Sequence, residues 1–451
     1  MAEWGAVNIS SIDSNHGRID AEFFRPGYLQ IDRAISSLDY KKLGMLVKKI
    51  DVGHVGSMVS QYCKSGVKLL QTQQVREFFL DMSNCVEIKK EFHNKLKKSQ
   101  VRKGDVLIAR SGSFGVASIY LEDEVINSAD IIILEIDRSA IDPLYLVAFL
   151  NSKYGSLQLR RFASGGVQGH VNLKILGDLK VPLLPREVQR NISTSIADAY
   201  TLKKSANSYY QKAQTLLESE LGLDKLTFDK PVSYAARFSE VSLSQAIAAN
   251  RIDAQCFSPS AMQYEQVLSN LPTVQPLRYL TVAMVKGAQQ DESTYGTVPY
   301  VSIKHIQNSE VLTDRKSKAF RGMPLARKGD VLLALTGSIG KVGIVSRYDE
   351  LTFSGDVLSI TAKNIDSYYL VAVLSDRIGQ VQLMRWITGS NQGHLAPRDV
   401  GRVLIPRLDE KVEARIASLM KESIGKTYES ARLLDQAKRR VEKLIEEAIA
   451  A

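Results

Sequence analysis

Two glycine-rich turns are the first places in the sequence where the residue types could support chemistry. Residues 103–115 read KGDVLIARSGSFG and residues 328–340 read KGDVLLALTGSIG. A phosphate-binding loop needs four residues between its glycines and a Ser or Thr after its lysine, whereas Lys341 is followed by Val342. Ser113 lacks the G-x-S-x-G surroundings of a nucleophile elbow. Neither nucleotide cradling nor nucleophilic catalysis is therefore expected at these turns.

The same turns have two other interpretations. Their glycines can occupy backbone positions that need a positive φ, which is a role in the scaffold. Alternatively, exposed N–H groups in the turns can hold the phosphates of a nucleic acid, together with the polar side chains beside them. These candidate DNA-binding side chains are Arg110, Ser111, Ser113, Thr336, Ser338 and Lys341.

A second repeated segment reads SGGVQGHVN at residues 164–172 and TGSNQGH at residues 388–394. Each copy has one histidine and no further ligand at metal spacing, so no metal site is predicted. The histidine can stabilise a turn through a backbone hydrogen bond, or the amides and hydroxyls can contact bases and phosphates. The candidate DNA contacts here are Gln168, His170, Ser390, Asn391, Gln392 and His394.

The segments before the glycine turns differ most between the two copies. Residues 71–76 read QTQQVR, and the loosely corresponding stretch ends at residues 304–308 as KHIQN. Such side chains are typical of solvated loops, but they can also pair with adenine or guanine. The candidate base readers are Gln71, Thr72, Gln73, Gln74, Arg76, Lys304, His305, Gln307 and Asn308.

No catalytic pattern accompanies these polar loops. The N/D/S-P-P-Y/F tetrapeptide of amino-methyltransferases is absent, as are a G-x-G-x-x-G after a strand and a metal-binding carboxylate group suited to a nuclease. Cys63, Cys85 and Cys256 are widely spaced, which favours neither a disulfide framework nor a zinc site. The chain is expected to recognise a partner and not to catalyse a reaction.

The composition agrees with a nucleic-acid partner but does not demand one. The 451 residues carry a formal net charge of +10, a modest excess that many proteins without a polyanionic partner share. No apolar run approaches the ~20 residues needed to cross a bilayer, and the first residues lack the features of a signal peptide. We expect a cytoplasmic protein.

The paired turns belong to a duplication of the whole chain. RIDAEFFRP at residues 18–26 returns as RIDAQCFSP at residues 251–259, and LVAFLNS at 146–152 matches LVAVLSD at 370–376. Each copy combines short aliphatic strand patterns with helix patterns and ends in a strand closed by proline. The sequence predicts two α/β (α+β) domains related by a pseudo-two-fold internal repeat.

A long helix pattern follows each domain. Apolar residues recur at three- and four-residue steps in both stretches, as in a coiled coil, which predicts two long antiparallel helices with the domains at opposite ends of a rod. The predicted helix–helix contacts are Val188, Ile192, Ala199, Leu202, Tyr209, Leu216, Val412, Ile416, Leu434, Val441 and Leu444. The predicted parts are domain 1 at 1–185, a central helix at 186–221, a linker at 222–245, domain 2 at 246–407 and a C-terminal helix at 408–451.

With these features the chain resembles the specificity subunits of type I restriction-modification enzymes. The resemblance rests on the paired KGD(V)L…G-S-x-G stretches, the closing prolines and the long helix after each domain. It implies two target recognition domains, each binding one half of a bipartite site on double-stranded DNA. It also implies helices that set the distance between the halves and dock two DNA methyltransferase subunits.

The resemblance further implies that this chain binds no cofactor. S-adenosylmethionine would bind the methyltransferase partners, and ATP and magnesium would serve the restriction-translocase subunits of a type I enzyme in a prokaryotic cytoplasm. Two alternatives stay open: a specificity subunit of a type IIB-like or other phage-defence methyltransferase system, and a stand-alone sequence-specific DNA-binding regulator.

Overall fold

The structure is a computed structural model of the chain. It describes residues 21–110, 115–164, 170–171, 173–226, 233, 256–293, 295–389 and 393–450. The chain forms two compact units. Unit 1 comprises Met1–Thr201 with Glu429–Ala451, and unit 2 comprises Leu202–Tyr428, so each unit contains one part of each long helix.

Unit 1 is a mixed α/β domain whose strands are mostly short. Its strands are β1 (Tyr40–Lys42), β2 (Val47–Val52), β3 (Tyr62–Cys63), β4 (Val67–Leu70), β5 (Phe78–Phe79), β6 (Val86–Ile88), β7 (Gln100–Val101), β8 (Val106–Ala109), β9 (Ala117–Ile119), β10 (Ile126–Ser128), β11 (Ile131–Ile136), β12 (Ala163–Ser164), β13 (His170–Val171) and β14 (Lys180–Pro182). Its helices are α1 (Pro26–Ser36), α2 (Lys90–Lys95), α3 (Pro143–Asn151), α4 (Lys153–Phe162), α5 (Leu173–Gly177) and the first part of α6 (Arg186–Glu220).

Two five-stranded sheets form the centre of unit 1, in the orders β2-β11-β8-β9-β5 and β3-β6-β4-β10-β7. The strand VLIA at β8 is buried at every position because apolar residues pack on both of its faces. One face packs on α3 and the long helices, and the other packs on the second sheet. The pairs β1-β14 and β12-β13 complete the unit.

Unit 2 repeats this plan. Its strands are β15 (Val274–Pro276), β16 (Thr281–Lys286), β17 (Val298–Val301), β18 (Ile306–Gln307), β19 (Ser309–Val311), β20 (Lys316–Ser317), β21 (Leu325–Arg327), β22 (Val331–Ala334), β23 (Val342–Ile344), β24 (Glu350–Phe353), β25 (Val357–Ala362) and β26 (Leu404–Pro406). Its helices are α7 (Pro259–Ser269), α8 (Ser367–Ser375), α9 (Arg377–Arg385), α10 (Pro397–Val400), the last part of α6 and the first part of α11 (Glu410–Ala450).

The sheets of unit 2 have the orders β16-β25-β22-β23-β19-β18 and β20-β17-β24-β21, with β15-β26 beside them. The strands β16, β25, β22, β23 and β19 follow the order of β2, β11, β8, β9 and β5 in unit 1. The predicted duplicated α/β architecture with two long helices is thus confirmed.

Polar framework bonds are repeated between the two units. Tyr145 donates its hydroxyl to the carbonyl of Pro182 at 2.8 Å, and Tyr369 donates to the carbonyl of Pro406 at 2.8 Å. Both tyrosines are fully buried, so each hydroxyl needs this partner. The closing proline of each domain therefore terminates a strand and also supplies the acceptor that fixes the adjacent helix.

One glycine in each unit allows two backbone segments to lie in close contact, at corresponding positions. A Cβ on Gly155 would lie 2.2 Å from the carbonyl oxygen of Phe149, and one on Gly379 would lie 2.2 Å from that of Val373. Any larger residue would push apart the tight junction between α3 and α4, or between α8 and α9.

The long helices α6 and α11 pack against each other inside each unit. In unit 1 the first part of α6 shares a core with the last part of α11, and Ser430 donates its hydroxyl to the carbonyl of Ala199 at 2.7 Å. In unit 2 the last part of α6 shares a core with the first part of α11, and Ser423 donates to the carbonyl of Ala206 at 2.9 Å. This is the antiparallel pairing that the sequence predicts.

Ten of the eleven predicted helix contacts lie in or against these two cores. The buried ones are Ile192, Ala199, Ile416 and Val441, and the partly buried ones are Val188, Tyr209, Leu216, Val412, Leu434 and Leu444. Leu202 is half-buried and belongs to neither core. Alanines and serines at seven-residue steps, Ala199, Ala206 and Ala213 on α6 and Ser423, Ser430 and Ala437 on α11, supply much of the buried seam.

Candidate nucleic-acid interface

In unit 1 the segment QTQQVR forms a 3₁₀ turn, Thr72–Gln74, after β4. Gln74 is buried, and its side-chain oxygen accepts the backbone N–H of Gln71 at 2.9 Å, which closes a capping box. A side chain that completes the turn in this way is not available to read a base. Thr72 donates its hydroxyl to the carbonyl of Asp130 at 3.3 Å, while Gln73 is exposed.

Unit 2 has the same turn with different residues. Here the 3₁₀ turn is Ile303–His305 after β17, and Nδ1 of His305 accepts the backbone N–H of Ser302 at 3.0 Å. Burial lowers the pKa of His305, with the neighbouring Lys304 adding to the effect, so the ring stays a neutral acceptor at pH 7. Gln74 and His305 are thus framework residues of equivalent turns.

The other predicted readers near this turn point outward or form local bonds. Lys304 pairs with Glu292 at 3.3 Å, and Gln307 donates to the carbonyl of Lys304 at 2.7 Å. Asn308 is exposed and has a φ of +49°. Arg76 is also exposed, and its backbone N–H donates to the hydroxyl of Ser118 at 3.0 Å.

At the end of β8 the structure brings Arg110 onto Asp130. Ala109 pairs with Ile131, so the residues just beyond this pair meet at one edge of the sheet. Nη1 of Arg110 lies 2.8 Å from Oδ1 of Asp130, and about a quarter of the arginine side chain is exposed. The carboxylate therefore holds one N–H of a partly exposed guanidinium that has further N–H donors.

Unit 2 has an aspartate at the same end of its sheet. Ala334 pairs with Val357, and Asp356, just before that strand, accepts the hydroxyl of Thr336 at 2.8 Å. Leu335 is the residue that directly follows the strand, and it is buried, so the polar partner comes one residue later than in unit 1. Aspartate is kept in both units, and it contacts Arg110 in unit 1 and Thr336 in unit 2.

Two further predicted residues of unit 2 lie near this edge. His394 forms β-bridges with Thr336 and Thr388, which brings the two repeated loops together. Ser338 and Lys341 are exposed, and the backbone N–H of Lys341 donates to the carbonyl of Ser338 at 3.2 Å. Thr336, Ser338, Lys341 and His394 thus belong to one polar edge.

Several predicted residues fall outside the part of the chain that the structure describes. These are Ser111, Ser113, Gln168, Ser390, Asn391 and Gln392. The backbone of His170 lies in β13, and its side chain is not described. For these residues the sequence-based predictions stand as predictions.

The glycines of the KGD and GS-x-G turns have backbone conformations that explain their repetition. Gly104 and Gly329 have φ values of +95° and +96°, and Gly115 and Gly340 have +86° and +82°. Residues with a Cβ rarely adopt these angles. The interpretation of these glycines as scaffold accounts for all four positions.

Sequence reasoning missed Asp130 and Asp356, the residues that hold Arg110 and Thr336. Asp130 precedes a strand in a stretch reading NSADIIIL, and Asp356 precedes one in FSGDVLSI, and aspartate before a strand is common in loops. Only the shared D-(I/V)-(I/L) pattern, 25 residues after Asp105 in one copy and 26 after Asp330 in the other, could have indicated them. The structure describes no group of three His, Cys, Asp or Glu residues that could hold a metal ion, and none of its described helices is long and apolar enough to cross a membrane.

Known proteins with similar sequences indicate a family. Residues 60–207 match the family model described as the type I restriction modification DNA specificity domain. The chain is 26% identical over 163 residues to the type I restriction enzyme EcoBI specificity subunit of Escherichia coli, covering 35% of this chain and about a third, 34%, of that relative's length. It is 21% identical over 420 residues to the type I restriction enzyme MjaVIII specificity subunit of Methanocaldococcus jannaschii, covering 90% of this chain and 91% of the relative.

Among solved structures, a type I restriction-modification S subunit from M. genitalium aligns over 91% of this chain and 95% of its own, with 12% identity and a TM-score of 0.39. The fold described above rests on this chain's own strands and helices. The family match and the relatives indicate the class of protein: a specificity subunit. More particularly, residues 60–207 resemble a type I restriction modification DNA specificity domain, and the chain is similar to type I restriction enzyme specificity subunits.

Proposed function

We propose that each unit binds one half of a bipartite site on double-stranded DNA, and that the chain itself catalyses no reaction. One observation supports this proposal: buried hydrogen bonds of the scaffold are repeated in the two units, whereas residues at the end of the central sheet are not. The buried bonds of Tyr145 and Tyr369 are the same in both units, whereas the first residue after the equivalent strands β8 and β22 is Arg110 in unit 1 and Leu335 in unit 2. A scaffold kept twice with different edge chemistry suits two readers of different sequences.

The long helices are proposed to set the distance between the two half-sites and to dock two DNA methyltransferase subunits. Each helix has buried residues in both cores. A paired helix of this kind would act as a stiff spacer, and its exposed residues would be available to a partner. S-adenosylmethionine would be bound by those partners, and restriction-translocase subunits that use ATP and magnesium would complete a type I enzyme in the cytoplasm.

Single-molecule methylation mapping of DNA from the native cell tests the proposal. We expect one asymmetric motif with two specified parts separated by a fixed unspecified spacer, and we expect it to vanish when this gene is deleted. A map that is unchanged by the deletion would contradict the proposal. Copurification of the chain with no methyltransferase would instead favour a stand-alone DNA-binding regulator.

A further inference from the structure

A groove of about 610 Å³ lies in unit 1, at the end of the central sheet opposite Arg110. Its walls come from β2, the end of β11 and the segment that leads into β8. Seven lining residues are basic and four are acidic, an excess of three positive charges. We call it the lysine groove, after Lys48, Lys49, Lys97, Lys98 and Lys103.

Three of the four acidic residues already have partners inside the groove or in their own turns. Asp51 contacts Lys49 and lies 3.5 Å from Lys98. Asp105 and Asp137 each accept a backbone N–H of their own turn. The lysines themselves are largely exposed, 54% for Lys49 and 74% for Lys98, so the groove presents positive charge to solvent.

Unit 2 has a corresponding surface with Arg327, Lys328 and Lys363, but uncharged residues stand in place of Lys48, Lys49 and Lys98. Strand β2 of unit 1 pairs with β11, and strand β16 of unit 2 pairs with β25. In each pairing one residue is skipped, Lys48 in β2 and Val282 in β16, so these two residues correspond. Lys49 therefore corresponds to Ala283. Along the other wall, the KGD turns align Lys98 with Met323.

This comparison indicates that Lys48, Lys49 and Lys98 are not needed for folding. Val282 is 69% exposed and stands in the same bulge as Lys48, so the scaffold folds with either residue there. Charged side chains that a duplicated fold does not require are free to serve a partner. A concave surface with clustered lysines favours a partner with closely spaced negative charges.

We propose that the lysine groove binds the phosphate backbone of the DNA duplex whose bases are read by the edge around Arg110. This inference rests on the proposed function. The groove and that edge lie at the two ends of the four-residue strand β8, a distance of about 13 Å at ~3.3 Å per residue. One helical turn of DNA spans about 34 Å, so a single duplex can reach both. Lysines that contact phosphates position the duplex and carry no sequence information.

The test replaces three groove lysines with the residues of unit 2, in the variant Lys48→Val, Lys49→Ala and Lys98→Met. The matched control makes the same types of change at exposed lysines outside the groove and outside the long helices, Lys41→Val, Lys225→Ala and Lys64→Met. Binding of the full chain with its methyltransferase to duplexes with and without the mapped site is measured across salt concentrations. The logarithm of the binding constant falls as the logarithm of the salt concentration rises, and each lost phosphate contact makes this negative slope less steep by about 0.9.

We expect the magnitude of that slope to be smaller by about 2 to 3 in the groove variant. The variant should bind both duplexes at least about tenfold more weakly near 0.1 M salt. The methylated motif should stay the same, and the control should bind like the wild type. An unchanged slope, an equal loss in the control, or loss of the methyltransferase in place of DNA affinity would overturn the inference. Failure of the wild-type complex to prefer its mapped site would refute the proposed function instead.

Discussion

Arg110 and Thr336 differ in the hydrogen bonds that they leave for a partner. The guanidinium of Arg110 gives one N–H to Asp130 and keeps donors that suit the O6 and N7 acceptors of guanine. The hydroxyl of Thr336 gives its hydrogen to Asp356, so its lone pairs can accept from the amino group of adenine or cytosine. We therefore expect the two edges to suit different bases.

Replacing these residues should relax one base position each. Arg110→Ala removes the donors in unit 1, and Thr336→Val removes the acceptor in unit 2 while keeping the shape of the side chain. Each change should reduce discrimination at one position by about 1–3 kcal/mol, as for loss of a good base contact. Methylation mapping of cells that carry each variant measures this, and the other half-site serves as the internal control. Relaxation in both halves by one variant would contradict the assignment.

Asp105 should make stability depend on pH. Burial raises the pKa of this carboxyl to about 6, well above its ordinary value. The folded chain therefore binds a proton more readily than the unfolded chain, and this contribution to stability is lost as pH rises through 6. Between pH 7 and pH 5 the wild type should gain about 1 kcal/mol relative to Asp105→Asn.

Denaturant unfolding at the two pH values checks this prediction, with Asp137→Asn as the control. Hydrogen bonds from Ser139 lower the pKa of Asp137, so its contribution does not change between pH 7 and pH 5. A pH-independent difference between the wild type and Asp105→Asn would show that the carboxyl is ionised throughout this range.

At the scale of elements, the small residues of the helix pair govern how closely α6 and α11 approach. Ala206 is 2% exposed, and its carbonyl accepts the hydroxyl of Ser423. Ala206→Leu should cost about 1–3 kcal/mol because the added atoms have no space in this packed seam. Ser208→Leu, on the exposed side of the same helix, should change the free energy of unfolding by less than about 0.5 kcal/mol. Equal effects of the two changes in denaturant unfolding would contradict close packing at Ala206.

The helices should also act as the ruler between the half-sites. Inserting seven residues in α6 after Thr201 and seven in α11 after Tyr428 keeps the heptad seam and lengthens each helix by about 10 Å. We expect the spacer of the methylated motif to widen by about three base pairs, with both half-site sequences unchanged. An unchanged spacer in the methylation map would refute the ruler.

At the scale of the whole molecule, the sequence predicted the duplication and the class of fold because strand, turn and heptad patterns are local. It also placed Arg110 and Thr336 among the polar candidates. It did not assign Gln74 and His305 to the framework, because a polar side chain in a loop can either bond to its own turn, as these do, or face solvent. Nor could it find Asp130, which meets Arg110 only through the pairing of β8 with β11.

The lysine groove is another feature that the sequence alone does not reveal. Lys48 and Lys98 are ordinary charged residues in the sequence, and only the sheet register brings them to one surface. The shared bulge then shows that Val282 of unit 2 stands in place of Lys48. Comparison of two copies within one chain thus separates what the fold requires from what a partner requires.

The central claim is that the two units read the two half-sites independently. Residues 40–180 of unit 1 are exchanged for the corresponding residues of another specificity subunit, and the methylated motif of cells carrying the hybrid is mapped. The account predicts that one half-site changes to that of the donor, while the other half-site and the spacer stay the same. A change in both half-sites would contradict it.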